Sequence, residues 1–357
     1  MSYLDSKRIV GTNAQRSSNF SNISGGWKEV GRTTLGSANQ EIDVTSLPDK
    51  KYYMVLLDSH GSANTAGTIR VKYNDSTGTV YAGRWSENGA SDGTYVNELS
   101  NFIGFHSEDT SPKFNISYIA NLPSKEKLSI NHAIEQNTAG AGNAPNRSEE
   151  SAKWVETTNS ISSIAYLVGA TNTWNTNSEV VVLGYDPDDT HTDNFWTELA
   201  SVELTSTNTV LDSGTFTAKK YLWIQLFAKA NTSLTSIGGR YNGDTGNNYA
   251  NRYSDNGGTD GTNTSQPIHT WTVGGTLASG ETQFTNVFVI NNASNEKLSI
   301  CDTVEKGTSG AGTAPIRRET VGKWVNTTDQ ITQVQLVRTN TTGDFASGSF
   351  IKVWGSN

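Results

Sequence analysis

The side chains that could do chemistry come first. Five histidines (His60, His106, His132, His191 and His269) are scattered with no H-x-x-x-H or H-x-H spacing, so no pair of imidazoles is set to share a metal. No G-x-S-x-G elbow, P-loop or dinucleotide fingerprint is present, and the G-A-G within T-A-G-A-G-N-A-P (138–145) leads into strand-like sequence rather than a helix that would cradle phosphate. Carboxylates recur in pairs, among them Glu126/Glu296, Glu135/Glu305, Glu149/Glu319, Glu87/Asp255 and Asp92/Asp260. A glycosidase needs two acids about 5–10 Å apart around a cleft. Turn acceptors and solvated strand edges account for the same letters. One loop is richer in oxygen ligands than the rest, D-N-G-G-T-D-G-T-N from Asp255 to Asn263, with a weaker counterpart from Glu87 to Thr94. It lacks the closing Glu of a twelve-residue calcium loop, and an Asn/Asp/Gly turn explains it. The expectation is a protein with no catalytic residue, no cofactor and no metal.

Nine tryptophans invite a second chemistry, the stacking of sugars on exposed rings. Trp85, Trp174 and Trp271 lie near glycine-rich loops and have no tryptophan partner elsewhere, which makes them the candidates for glycan contact. Trp27, Trp154, Trp196 and Trp324 are different. They recur in pairs within apolar strands and are expected to form the core. Arg147 and Arg317 follow N-A-P and T-A-P, with Glu149 and Glu319 as local ion-pair partners.

The pairing of these residues reflects a duplication. E-K-L-S-I, T-A-G-A-G-N-A-P and K-W-V-E-T-T between Glu126 and Thr158 return as E-K-L-S-I, T-S-G-A-G-T-A-P and K-W-V-N-T-T, displaced by 170 positions. Upstream, Trp27 answers to Trp196 at an offset of 169, and the Tyr73–Thr94 block to Tyr241–Thr262 at 168, so the small insertions fall in turns. Each copy reads as roughly eight short β-branched and aromatic runs separated by Gly, Asn, Ser and Thr, with no helical period. The expected fold is all-β, two tandem antiparallel β-sandwiches of a jelly-roll-like kind, over 25–187 and 195–357. Residues 188–194 are expected to form a short, acidic, exposed linker. Residues 1–24 are expected to be an N-terminal arm whose Tyr3, Leu4, Ile9, Val10 and Phe20 dock on a neighbouring subunit.

A net charge of −8 argues against nucleic-acid or anionic-membrane partners. The opening M-S-Y-L-D-S-K-R has no apolar stretch, which leads to the expectation of a soluble cytoplasmic product. The single cysteine, Cys301, stands where the first copy has Asn131, so no disulfide framework is expected.

The close of the second copy, Ile331 to Gly355, with G-D-F-A-S-G-S leading into F-I-K-V-W-G, resembles the final hairpin of β-sandwich units in structural proteins of tailed-phage virions. T-A-G-A-G-N-A-P-x-R, K-W-V-x-T-T and the opening Y-L-D-S-K-R-I resemble such proteins of marine bacterial viruses. The first copy departs from the pattern at W-N-T-N-S-E-V-V-V-L-G-Y, which loses the F-x-x-G-S letters. The resemblance implies a non-enzymatic virion component, decorating a capsid or forming part of a tail appendage, whose partners are other virion proteins or further copies of itself. The alternatives are a host-attachment module that binds a surface glycan, and an extracellular filament subunit assembled by strand addition.

Overall fold

The structure is a computed structural model, and it describes residues 26–61, 67–107, 111–169, 172–189, 191, 193–235, 237–271, 276–338 and 343–357. The proposed arm residues Tyr3, Leu4, Ile9, Val10 and Phe20 lie outside the described residues.

The chain is all-β, and each copy is an antiparallel sandwich. In the first, an eight-stranded sheet runs edge to edge through Lys28–Thr34, Glu179–Tyr185, Tyr52–Ser59, Lys113–Ala120, Lys127–Glu135, Asn146–Trp154, Tyr81–Glu87 and Gly93–Glu98. Its cover is a four-stranded sheet, Glu41–Val44, Ile164–Leu167, Gly67–Tyr73 and Asn101–Ser107. The second copy repeats the large sheet from Thr197–Glu203 to Gly261–Gln266 in the same order. Among the described residues its cover has three strands, Val210–Thr215, Gln333–Arg338 and Ile237–Tyr241, and a Gly239–His269 bridge lies beside the last of them. In both units the first strand pairs with the last (Arg32 opposite Val181, Ser201 opposite Lys352), so each sheet is closed by residues from the two ends of its own repeat. Among the described residues the first unit has twelve strands and the second thirteen, against the roughly eight expected; several, such as Glu41–Val44, Leu234–Thr235 and Thr276–Leu277, are too short to leave a periodic signal.

Alternation decides which face each side chain takes. Tyr53, Val55 and Leu57 point between the sheets with Ile42, Val71, Tyr166 and Trp154. Leu222, Ile224 and Leu226 do the same in the second unit with Leu211, Leu336 and Trp324. Trp154 packs on Tyr73 and Tyr81, and Trp324 on Tyr241 and Tyr249, in matching geometry. The asparagine content also has a structural use. Asn74 and Asn242 take a left-handed backbone (φ 52° and 50°), which Asn tolerates better than most residues. Each side-chain oxygen then accepts two backbone N–H groups of a distant loop, Ser162 and Ser163 in one copy and Thr332 and Gln333 in the other. Asn121 and Asn291 pin Ile161 and Ile331 in the same manner.

The join between the units is less free than a bare linker. Asp189 pairs with Lys50 and Asp193 with Lys28, Asn194 accepts the Gly26 N–H, and Phe195 is buried. Replacing Trp154 or Trp324 by Ala is expected to cost about 3–5 kcal/mol each, read as a lower midpoint in denaturant unfolding. An unchanged midpoint would remove these rings from the core.

Candidate functional site between the two units

The large sheets do not present their outer faces to water throughout. Met54 and Leu56, one step out of phase with Tyr53 and Val55, form a third apolar cluster with Phe114, Ile116, Ile134 and Leu183 of the first unit. The second unit completes it with Tyr221, Phe288, Ile290, Leu298, Ile300 and Val321. The two sandwiches are thus packed outer face to outer face. Trp27 and Trp196, expected in the core, are only half-buried and pack against this shared cluster, as does Trp223. The correction follows from their place at the strand entrances beside the join, where Trp27 lies against Tyr185 and Trp196 against Phe195 and Trp223.

Charged groups close the joint on two sides. On one, Lys220 lies 3.0 Å from both Asp58 and Glu179, and Glu179 also accepts from Tyr221 (2.8 Å), Arg32 (2.9 Å) and Thr34 (2.5 Å). Asp58 is fully buried, 3.3 Å from His60 and 3.0 Å from Asn292. Burial alone would raise the Asp58 carboxyl. The hydrogen bond and charge of His60, with Lys220 and Asn292, outweigh it and hold the group below its ordinary value. Glu179 is held low in the same way, burial being opposed by Thr34, Lys220 and Tyr221. Asp58, His60, Lys220 and Asn292 border a polar cleft of ≈ 840 Å³ between the units, lined also by Gln136, Thr138, Asn175, Asn177 and Asn295.

On the other side the T-A-G-A-G-N-A-P loop of the first unit is docked on the second. Gly140 N–H donates to Glu296 (2.6 Å), Lys323 to the carbonyls of Thr138 (2.6 Å) and Gln136 (3.2 Å), Ser265 N–H to Ala141 O (2.7 Å), and Arg252 to Pro145 O (2.9 Å). Arg147 grips Asp260 with two nitrogens (2.6 and 3.3 Å), reaches Glu319 at 3.2 Å and also pairs with Glu149. Gly89 is required at the edge of this contact: its φ is +73°, and an added Cβ would stand 2.6 Å from the Asp260 carboxylate.

The loop Asp255–Asn263 therefore spends its carboxylates on arginines, Asp260 on Arg147 and Asp255 on Arg318 (2.6 and 2.7 Å). A different trio converges instead. Glu41, Asp43 and Asp75 each bring an oxygen within 4.8 Å of the others. Burial, and then mutual repulsion, raises Glu41 and Asp43. Sequence spacing gives no sign of this trio, because Glu41 and Asp43 lie on one strand, Asp75 comes from a distant turn, and the second copy does not repeat it.

Of the three candidate sugar platforms, the structure removes two. Trp174 is buried between the sheets, bridged by backbone to Asn39 and Gly61, with its ring N–H toward Tyr166 O. Its counterpart is Phe345, which makes the same two bridges to Asn208 and Ala230, so an aromatic is kept there although the tryptophan is not. Trp271 is buried and stacked on His269, whose imidazole burial pushes down to about 3. Trp85 alone remains half-exposed, bordering hollows of ≈ 200 and ≈ 320 Å³.

Glu150, the cross-strand neighbour of Trp85, is buried on the inner face of the sheet, accepting from Asn131 (2.6 Å) and from the Tyr95 hydroxyl. Burial, only partly opposed by those hydrogen bonds, raises its carboxyl to about 8. The second copy has Thr320, Asn263 and Cys301 at these positions, so the arrangement is private to the first unit.

No family model matches the chain. No curated protein matches it. Among solved structures the chain is similar to domains LG4-5 of the mouse laminin alpha1 chain, at 11% identity over 92% of this chain and 90% of that one, with a TM-score of 0.20. It is also similar to a structure reported on the mechanism of in-meso crystallization of membrane proteins (10% identity, 76% and 82% covered, TM-score 0.13). A third is OccAB4 of Acinetobacter baumannii (9%, 89% and 98%, 0.13). At these scores none of them bears on function.

Two outcomes follow. Arg147→Ala leaves Asp260 buried without its partner and is expected to cost about 3–5 kcal/mol, splitting a single denaturant transition into two as the units part. One transition at the original midpoint would show that the pair does not hold the joint. The raised Glu150 carboxyl costs nothing while the unfolded group is protonated too, and costs increasingly once the unfolded group ionises. Stability is therefore lost as pH rises from about 4.3 toward 8, by up to about 1.4 kcal/mol per pH unit. Glu150→Gln should abolish that loss, and the variant's stability relative to the natural chain should climb between pH 5 and 8. A flat difference would show that Glu150 is ionised in the folded state.

Proposed function

We propose that this chain is a non-enzymatic structural protein of a virion, decorating a capsid or forming part of a tail appendage through protein–protein contacts. The observation that supports the reading is the joint itself. An apolar patch on the outer face of each unit's large sheet is used to bind another sandwich rather than to hold a small molecule. Buried ion pairs around it add registry more than strength. A polar exterior rich in Thr, Ser and Asn suits repeated contacts on a symmetric particle, where two units per chain double the available contacts.

A second reading rests on Trp85. With Tyr95, Glu98 and Phe102 around the ≈ 320 Å³ hollow, its half-exposed ring has the composition of a small sugar subsite, as a host-attachment module would need.

The test is sedimentation of gradient-purified particles from infected cells making this chain. The structural reading expects the protein at fixed copy number in the particle band after a high-salt wash, and recovery only in the soluble fraction overturns it. A glycan array with the natural chain and Trp85→Ala decides the second reading, which expects binding that the variant loses.

A further inference from the structure

We infer that the joint inside the chain is also a template for a joint between chains, and that the partner of the free faces is a second copy docked head to tail. The inference rests on the reading that this protein works by protein contacts.

Two sheets laid outer face to outer face are related by a half turn. If that were the whole relation, every contact would have a reciprocal one. It does not. Phe114 and Ile134 of the first unit are buried in the joint, while their counterparts Phe284 and Val304 are exposed. Leu298 and Ile300 of the second unit are 0% and 4% exposed, while their counterparts Leu128 and Ile130 are 56% and 54% exposed. The units are therefore staggered, and different halves of the same face are used. Each chain is left with one unused half of each kind, on opposite units, which is the condition for a heterologous contact that repeats.

The polar contacts around the joint make the same point by residue type. Arg147, which grips Asp260, corresponds to Arg317, and Asp260 to Asp92. Lys323 and Glu296, which hold the first loop, correspond to Lys153 and Glu126, now exposed and paired with each other at 2.9 Å. Arg252, bonded to Pro145 O, corresponds to Arg84, and Pro145 to Pro315. Gly89, whose missing Cβ admits Asp260, corresponds to Gly257 with the same φ of +73°. The Thr308–Pro315 loop stands in water, where the first copy's loop is docked, and the Arg317 side chain is 58% exposed against 7% for Arg147. The charged partners at this margin of the inner joint are thus repeated on the free ends in identity and sign, whereas at the other margin Asp58, Glu179 and Arg32 give way to Phe227, Phe350 and Ser201.

Docking would set Phe284, Val304 and the Thr308–Arg317 loop of one copy on Leu128, Ile130, Asp92 and Lys153 of the next. Gln225 and Lys352 stand where the inner joint has Leu56 and Val181, so the outer joint is more polar and reversible.

The test uses full-length protein in sedimentation velocity over a range of concentrations, with Ile130→Glu and Val304→Glu, both at exposed positions. The natural chain is expected to grow beyond the single 38.5 kDa chain as concentration rises, and each variant to stay single. Mixed in equal amounts, the variants should form a dimer and stop there, since one retains each half of the contact. A natural chain that remains single at every concentration overturns the inference and leaves those faces to another occupant. Growth unaffected by either variant, or variants that stay single when mixed, also overturns it. A chain that stays single yet bands with particles separates the failure of self-docking from the failure of the structural reading.

Discussion

The constraint behind this structure is that a wide β-sheet built from strands such as Y-Y-M-V-L-L is apolar on both sides. One side is satisfied by the cover sheet of its own sandwich, where Tyr53, Val55 and Leu57 meet Ile42 and Tyr166. The other side, Met54 and Leu56 with Phe114 and Ile116, has no cover within its own unit and is satisfied only by the neighbouring unit. The duplication is therefore more than two independent beads. Much of the first unit's outer face is removed from water by the second, and at about 25 cal/mol per Å² that burial is the main attraction holding the halves together.

The charged groups play a different part. Asp58, Glu179, Lys220 and Arg32 at one margin, and Arg147, Asp260, Glu296 and Lys323 at the other, are taken out of water together, at a desolvation cost that their attraction roughly offsets. Their effect is to fix one stagger among the several that two flat apolar faces would permit. Lys323 illustrates it: burial, opposed by Glu296, lowers its ammonium, and its protons are directed at the carbonyls of Thr138 and Gln136. Backbone acceptors of one specific loop define position more sharply than a grease patch does.

Much of the fold was legible in the sequence. The repeat, the sandwich class and the buried Trp154 and Trp324 follow from spacing and alternation, and Arg147 and Arg317 do pair with Glu149 and Glu319. The joint was not legible, since a continuous apolar run reports that both faces are buried without saying what buries the second. Leu128–Ile130 and Leu298–Ile300 carry the same letters and opposite exposure. Trp174 and Trp271 were misplaced for a related reason. Matching tryptophan only to tryptophan hides that Phe345 fills the Trp174 position, and that His269 supplies the stacking partner of Trp271.

The pairing of the first strand of each unit with its last has a consequence for how the protein is made. Lys28–Thr34 waits for Glu179–Tyr185 before it has a neighbour, so neither sandwich can close until nearly its whole repeat has left the ribosome. Contacts of such long sequence separation fold slowly. The first sandwich then carries its uncovered outer face until the second has been translated and folded against it. The interval between the two closures is the period in which a nascent chain is most exposed to the wrong partner.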